Sequence, residues 1–139
     1  MATVAAPTRT QPAVLDLDRV WQEFETLAAR GEPVVTLGGM HKRHRLRVFT
    51  DRISFTSQAG TTVSVDRHTL GEILAEFSAT RTLSRGTLAG YLRGKQRPSA
   101  LAGLLALLPQ VEYSAGPQVV LYLRERATHA LGTTKQAGK

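Results

Sequence analysis

The period of the apolar residues changes along this 139-residue chain, from helical to two, back to helical and again to two, and so restricts it to helices combined with antiparallel strands. Leu17, Val20, Trp21, Phe24, Leu27 and Ala28 recur at helical spacing. Asp16 or Asp18 can cap that helix, and Gly31 can end it after Arg30. From residue 34 the period falls to two. Residues 34–37 read as a short strand and Gly38-Gly39 as a turn. In residues 45–50, Leu46 and Val48 share one face, and Arg45, Arg47 and Phe49 the other. Asp51-Arg52 turns the chain, and Ile53 and Phe55 alternate with Ser54 and Thr56. Gln58-Ala59-Gly60 turns it again, and Val63 and Val65 alternate with Thr62 and Ser64. This pattern predicts a small antiparallel β-meander with one face inward.

The helical period then returns. Asp66 can cap a helix over 67–80 whose buried stripe is Leu70, Ile73, Leu74 and Phe77. Ser84 caps a short helix to about Arg93. Ser99, after Pro98, begins another that runs to Leu108 and is stopped by Pro109. Residues 111–113 and 118–123 read as strands joined by Ser114-Ala115-Gly116-Pro117. Residues 1–13 and 127–139 lack any periodicity. They are expected to be a disordered N-terminal tail and a flexible basic C-terminal tail around one α+β domain, residues 14–126. That domain joins a meander (34–66) to a second part (67–124).

A chain of this length that is 42% apolar can bury a core without staples. It has no cysteine, which excludes disulfides, thiolate metal ligands and a cysteine nucleophile. The longest Leu-rich stretch, 101–108, is far too short to span a bilayer. Residues 1–12 lack the apolar region of a secretory signal, so the expected location is the cytoplasm, at the nucleoid.

Net charge is +7 and the isoelectric point is near 10.6, which points to polyanionic partners. The charge is clustered. Lys42, Arg43, Arg45, Arg47 and Arg52 stand against Asp51 alone, and Arg81, Arg85, Arg93, Lys95 and Arg97 against no acid at all. Arg124, Arg126, Lys135 and Lys139 stand against Glu125. Counterion release scales with the number of phosphates met together, so clustering favours nucleic acid.

From residue 67 the order of helix, short helix, helix and hairpin resembles a winged-helix domain. The resemblance implies that the third helix enters the major groove and the hairpin is the wing. The segment Leu83-Ser84-Arg85-Gly86-Thr87-Leu88-Ala89-Gly90-Tyr91-Leu92-Arg93-Gly94-Lys95-Gln96-Arg97-Pro98-Ser99 is also similar to the helix-turn-helix of phage Cro and repressor proteins. In that family a Ser caps the recognition helix, a Gly-Lys follows it and a Pro-Ser opens the next helix. Phe77 and Ser78 stand for the apolar and small residues ahead of the turn, and Thr82 occupies the turn position usually held by Gly.

The residues themselves suit DNA. Leu88, Tyr91 and Leu92 are expected to pack inward, and Arg85, Gly86, Thr87, Gly90 and Arg93 to face outward. The free amides at Ser84 and Arg85 would favour a phosphate. Arg85 and Thr87 would reach bases, and Lys95 and Arg97 the phosphates. Lys42, Arg43, Arg45 and Arg47 form a second patch, in which Arg45 and Arg47 share a strand face and can follow a phosphate backbone.

The other chemistry is thin. His41 and His44 fall on opposite strand faces among cations, a poor metal pair. Asp51 reads as a turn residue, Asp66 as a cap and Trp21 as core. No catalytic residue, metal or cofactor is expected. The expected function is binding of DNA, double-stranded in the first instance, by a bacterial or phage regulator or a mobile-element accessory protein. RNA stays open as a ligand, and a homodimer would match operator symmetry. The alternative is a protein-interaction module whose helix-turn-helix is only scaffold. A hydrolase is the third reading.

Overall fold

The computed structural model describes residues 15–37, 42–92 and 98–137, and it is a mixed α+β protein. In chain order the elements are α1 (Leu17–Arg30), β1 (Val34–Val35), β2 (Arg43–Val48), β3 (Arg52–Ser57), β4 (Thr62–Asp66), α2 (Arg67–Thr80), β5 (Thr82–Ser84), α3 (Arg85–Tyr91), α4 (Ser99–Leu105), β6 (Val111–Ser114) and β7 (Val120–Leu123).

Local chemistry sets the helix ends. Asp16, not Asp18, caps α1 by accepting the Arg19 N–H at 3.0 Å. Asp18 instead forms an ion pair with Arg67 on α2, and that guanidinium lies over the Trp21 ring, 4.6 Å from its centre. Gly31 closes α1 in the left-handed region, at φ 73°. Asp66 caps α2 through the Thr69 N–H at 2.7 Å. At the end of α2 it is Arg81, not Thr82, that adopts the left-handed conformation, at φ 65°. Its N–H donates to Phe77 O and its carbonyl accepts from Leu123, so the turn is held from both sides.

The meander has strand order β1-β2-β3-β4, all antiparallel. Its inner face, with Leu46, Ile53, Phe55 and Val65, meets Val20, Trp21, Phe24 and Leu27 of α1 in one continuous core. The second sheet has order β5-β7-β6. Strand β5 has no signature in the sequence: three residues become a strand because Leu83 pairs with Leu121 of β7. Leu83, Leu88, Leu101, Leu104 and Leu121 join the same core, so the two halves share one interior.

Three expectations change. The helix from Ser99 ends at Leu105, and a turn carries the chain to Leu108, with every residue of 100–108 buried. The strand expected over 34–37 is two residues long. The C-terminal segment is not a flexible tail: residues 127–137 are docked. Thr128 N–H donates to Pro109 O, Gly132 N–H to Leu107 O and Ala137 N–H to Tyr113 O, while the Tyr113 N–H donates to Lys135 O. Gln136 bridges Tyr113 alongside β6, and Leu131 packs on the core. Periodicity is silent there because such a strap is held by single backbone bonds, with no repeating apolar face.

Candidate nucleic-acid interface

Strand β2 supplies the clearest cationic surface. Alternation along it turns His44, Leu46 and Val48 toward the interior, and Arg43, Arg45 and Arg47 outward, all three exposed. Arg45 lies beside Thr56 and Arg47 beside Ser54, and these in turn face Thr62 and Ser64 on β4. The outer face thus shows guanidinium groups and the hydroxyls of Thr56, Thr62 and Ser64, with Ser54 buried among them. Arg43, Arg45 and Arg47 make no ion pair with any acid among the described residues. Arg52 is committed elsewhere, to Asp51 at 3.0 Å and over the Phe49 ring at 4.2 Å. Lys42 is exposed, and its amide donates to Thr36 Oγ1 at 2.9 Å.

His44 lies on the inner side of the same strand. Burial holds its pKa below the usual histidine value, the Lys42 charge adds to that, and a hydrogen bond with the Lys42 backbone opposes it. Its Nδ1 is buried with no hydrogen-bond partner.

The second basic segment is only partly described. Ser84 ends β5 and caps α3, accepting the Thr87 N–H at 3.1 Å. Arg85, Gly86, Ala89 and Gly90 are exposed and Leu88 is fully buried, while Tyr91 and Leu92 are half-buried against the core. Two roles expected here are corrected. The amide of Arg85 is not free for a phosphate, because it donates to Val119 O at 3.1 Å and Ser84 is paired with Val120. The Thr87 hydroxyl is half-buried and tied to Ser84 Oγ at 3.0 Å, so it does not present itself to bases. Arg93, Lys95 and Arg97, like Gly38, Gly39 and His41, lie outside the described residues.

The resemblance to winged-helix domains implied that the third helix would lie in a groove of DNA. The helix in that place is α4, and its residues Ala100, Leu101, Ala102, Gly103, Leu104 and Leu105 are all buried. It packs beneath β1, so the meander occupies the surface that a groove-reading helix would need. The Trp21 helix and the 101–108 segment likewise keep their large apolar side chains in the core, and Phe49 is the exposed large apolar residue among those described.

The segment after β1 lies between the two basic segments. A cleft of about 500 Å³ is lined by Leu37 at the end of β1, by Arg85, Gly86 and Ala89 of α3, by Pro98, and by Pro117 and Val119 of the hairpin. Thr36, next to Leu37, exchanges two hydrogen bonds with Lys42. The segment after β1 therefore touches both Lys42, at the start of the β2 arginine row, and the cleft beside Arg85. No feature of the sequence marked Leu37 or Thr36 as the link, since sheet pairing alone brings them there.

Compared with known protein families, curated proteins and solved structures, the chain matches none of them. Among the described residues no helix is long and apolar enough to cross a membrane.

Proposed function

We propose that the protein binds nucleic acid, double-stranded DNA foremost, through the outward row Arg43, Arg45 and Arg47 together with Lys42 and Arg85. The observation that carries this reading is the row itself: exposed guanidinium groups on one strand face with no acid paired to them. Successive arginines stand about 6.7 Å apart, two residues of strand rise. At that spacing each guanidinium can meet a separate phosphate. The Thr56 and Thr62 hydroxyls, bonded to each other at 3.1 Å, keep one donor between them for a phosphate oxygen.

The order helix, strand, helix, helix, hairpin, with β7 between β5 and β6, supports assigning residues 67–123 to the winged-helix arrangement. With α4 covered, contact falls to a strand face and a helix flank. Affinity then comes from phosphates, with little readout of base edges.

The test is a fluorescence-anisotropy titration of labelled duplex DNA, single-stranded DNA and RNA at about 50 and 200 mM salt. Five phosphate contacts predict a loss of affinity on the order of 500-fold between the two salts. Unrelated duplex sequences should bind alike. Absence of binding to all three probes at the lower salt would remove the proposal.

A further inference from the structure

The free edge of β2 carries more than charge. Phe49 N–H donates to Arg52 O at 2.8 Å across the hairpin, so the odd-numbered residues of β2 exchange their backbone bonds with β3. Thr36 N–H donates to Lys42 O at 2.9 Å, so the even-numbered residues face β1. But β1 pairs no further than Val34 with His44. The amides and carbonyls of Leu46 and Val48 therefore point off the sheet edge, and no partner meets them among the described residues. The Leu46 side chain lies in the core and Val48 is half-buried. Unpaired backbone groups along a strand edge are a template for pairing with another chain.

This edge lines one side of a broad groove of about 1060 Å³ that also reaches Thr56, Ser57 and Gln58. Its far wall is the end of α1, with Ala28, Ala29 and Gly31, followed by Pro33. Its near wall is β2 from Arg43 to Phe49. The residues opposite the edge are small, which favours an added strand there over a bulkier ligand.

We infer that this groove takes an extended segment of a partner protein as an added strand, and that the segment alternates acidic and apolar residues. Strand addition supplies N–H and C=O groups at the spacing that Leu46 and Val48 present. Side chains of the added strand alternate between the two faces. Those on the outer face meet Arg45 and Arg47, and carboxylates suit them. Those on the inner face meet Ala28 and Ala29, and small apolar groups suit them. A nucleic-acid strand cannot complete the ladder, because it has no such donor and acceptor pairs. A second copy of this chain would set its own arginines against Arg45 and Arg47, which like-charge repulsion opposes. The inference does not rest on nucleic-acid binding, although the two ligands share Arg45 and Arg47 and should compete.

The experiment uses the full chain and a fluorescein-labelled peptide that alternates Glu and Val. A second peptide has the same sequence with every other amide N-methylated. Amide exchange of the protein is followed by NMR with and without each peptide. The expected result is saturable binding of the first peptide, at least ten-fold slower exchange at Leu46 and Val48, and at least ten-fold weaker binding of the methylated peptide. Ala29→Trp, which fills the groove from an exposed helix position, should weaken the peptide at least ten-fold and leave duplex affinity within two-fold. Equal binding of both peptides would mean charge attraction alone. That outcome, no binding, or unchanged exchange at Leu46 and Val48 overturns the inference.

Discussion

A Cβ at residue 103 would collide with the backbone carbonyl oxygen of Val35, so Gly103 and Val35 set how closely α4 lies beneath β1. This contact turns a helix that resembled a DNA reader into core. It also ties the meander to the C-terminal half, because no flexible side chain is there to give way.

Gly103→Ala should destabilise the protein by about 2–3 kcal/mol, since β1 must move to admit the methyl group. Gly90→Ala is the control. Nothing lies within 4 Å of a Cβ there. Removing an exposed helical glycine should leave stability unchanged or raise it by up to about 1 kcal/mol. Urea denaturation of the two variants distinguishes close packing from a general dislike of alanine.

Truncation after residue 126 should also destabilise. It removes the backbone bonds of Thr128, Gly132, Lys135 and Ala137, and the contact of His129 Nε2 with Val111 O at 2.6 Å. With net hydrogen-bond contributions of about 0.5–1.5 kcal/mol each, the loss should reach at least about 2 kcal/mol, or roughly 5–10 °C in thermal midpoint. An unchanged midpoint would mean the strap adds nothing.

Glu112 gives the protein an acid-sensitive clasp. Burial alone would raise its pKa, but hydrogen bonds from Thr128 and Arg124 and the charges of Arg124 and Lys135 outweigh it and hold the carboxyl below its usual value. The Arg124 Nε contact is 3.0 Å and that of Lys135 is 3.7 Å. The folded state therefore favours the ionised form. Its stabilisation is complete above the unfolded carboxyl pKa and is lost as pH falls through the lower folded value. Glu112→Gln should lower stability at neutral pH by about 1–3 kcal/mol. It should also flatten the decline in stability below about pH 4.3. Denaturation curves from pH 7 to 3 test both.

His44 acts in a higher window. Its folded pKa is lowered chiefly by burial, so the neutral ring is the native form. Its contribution is present above the ordinary histidine pKa of about 6.5 and is lost as pH falls below it. His44 should titrate below that value in an NMR pH series. His44→Gln should remove the part of the stability loss that sets in as pH falls below about 6.5.

Replacing Arg45 and Arg47 with Ala should flatten the salt dependence of DNA binding by about two units and weaken all sequences alike. Arg85→Ala should weaken binding further without changing sequence preference, as a phosphate contact does. The melting temperature of each variant should match the parent, because all three side chains are exposed. An unchanged salt slope would return Arg45 and Arg47 to ordinary surface charge.

What the sequence determined by itself was local: which residues cap, which alternate and which lie on one helix face. Asp66 and Ser84 cap their helices, Phe24, Phe55 and Phe77 are core, and Arg45 and Arg47 share a face because side-chain direction follows from a period of two or 3.6. What only the tertiary structure decided was which surfaces stay uncovered. The burial of α4 under β1, the pairing of Leu83 with Leu121, the bond from the Arg85 amide to Val119 and the docking of residues 127–137 all join parts distant in sequence. Periodicity shows that a face is apolar, but not which element meets it. The short length of β1, which leaves Leu46 and Val48 without a strand partner among the described residues, is likewise set by pairing and not by periodicity.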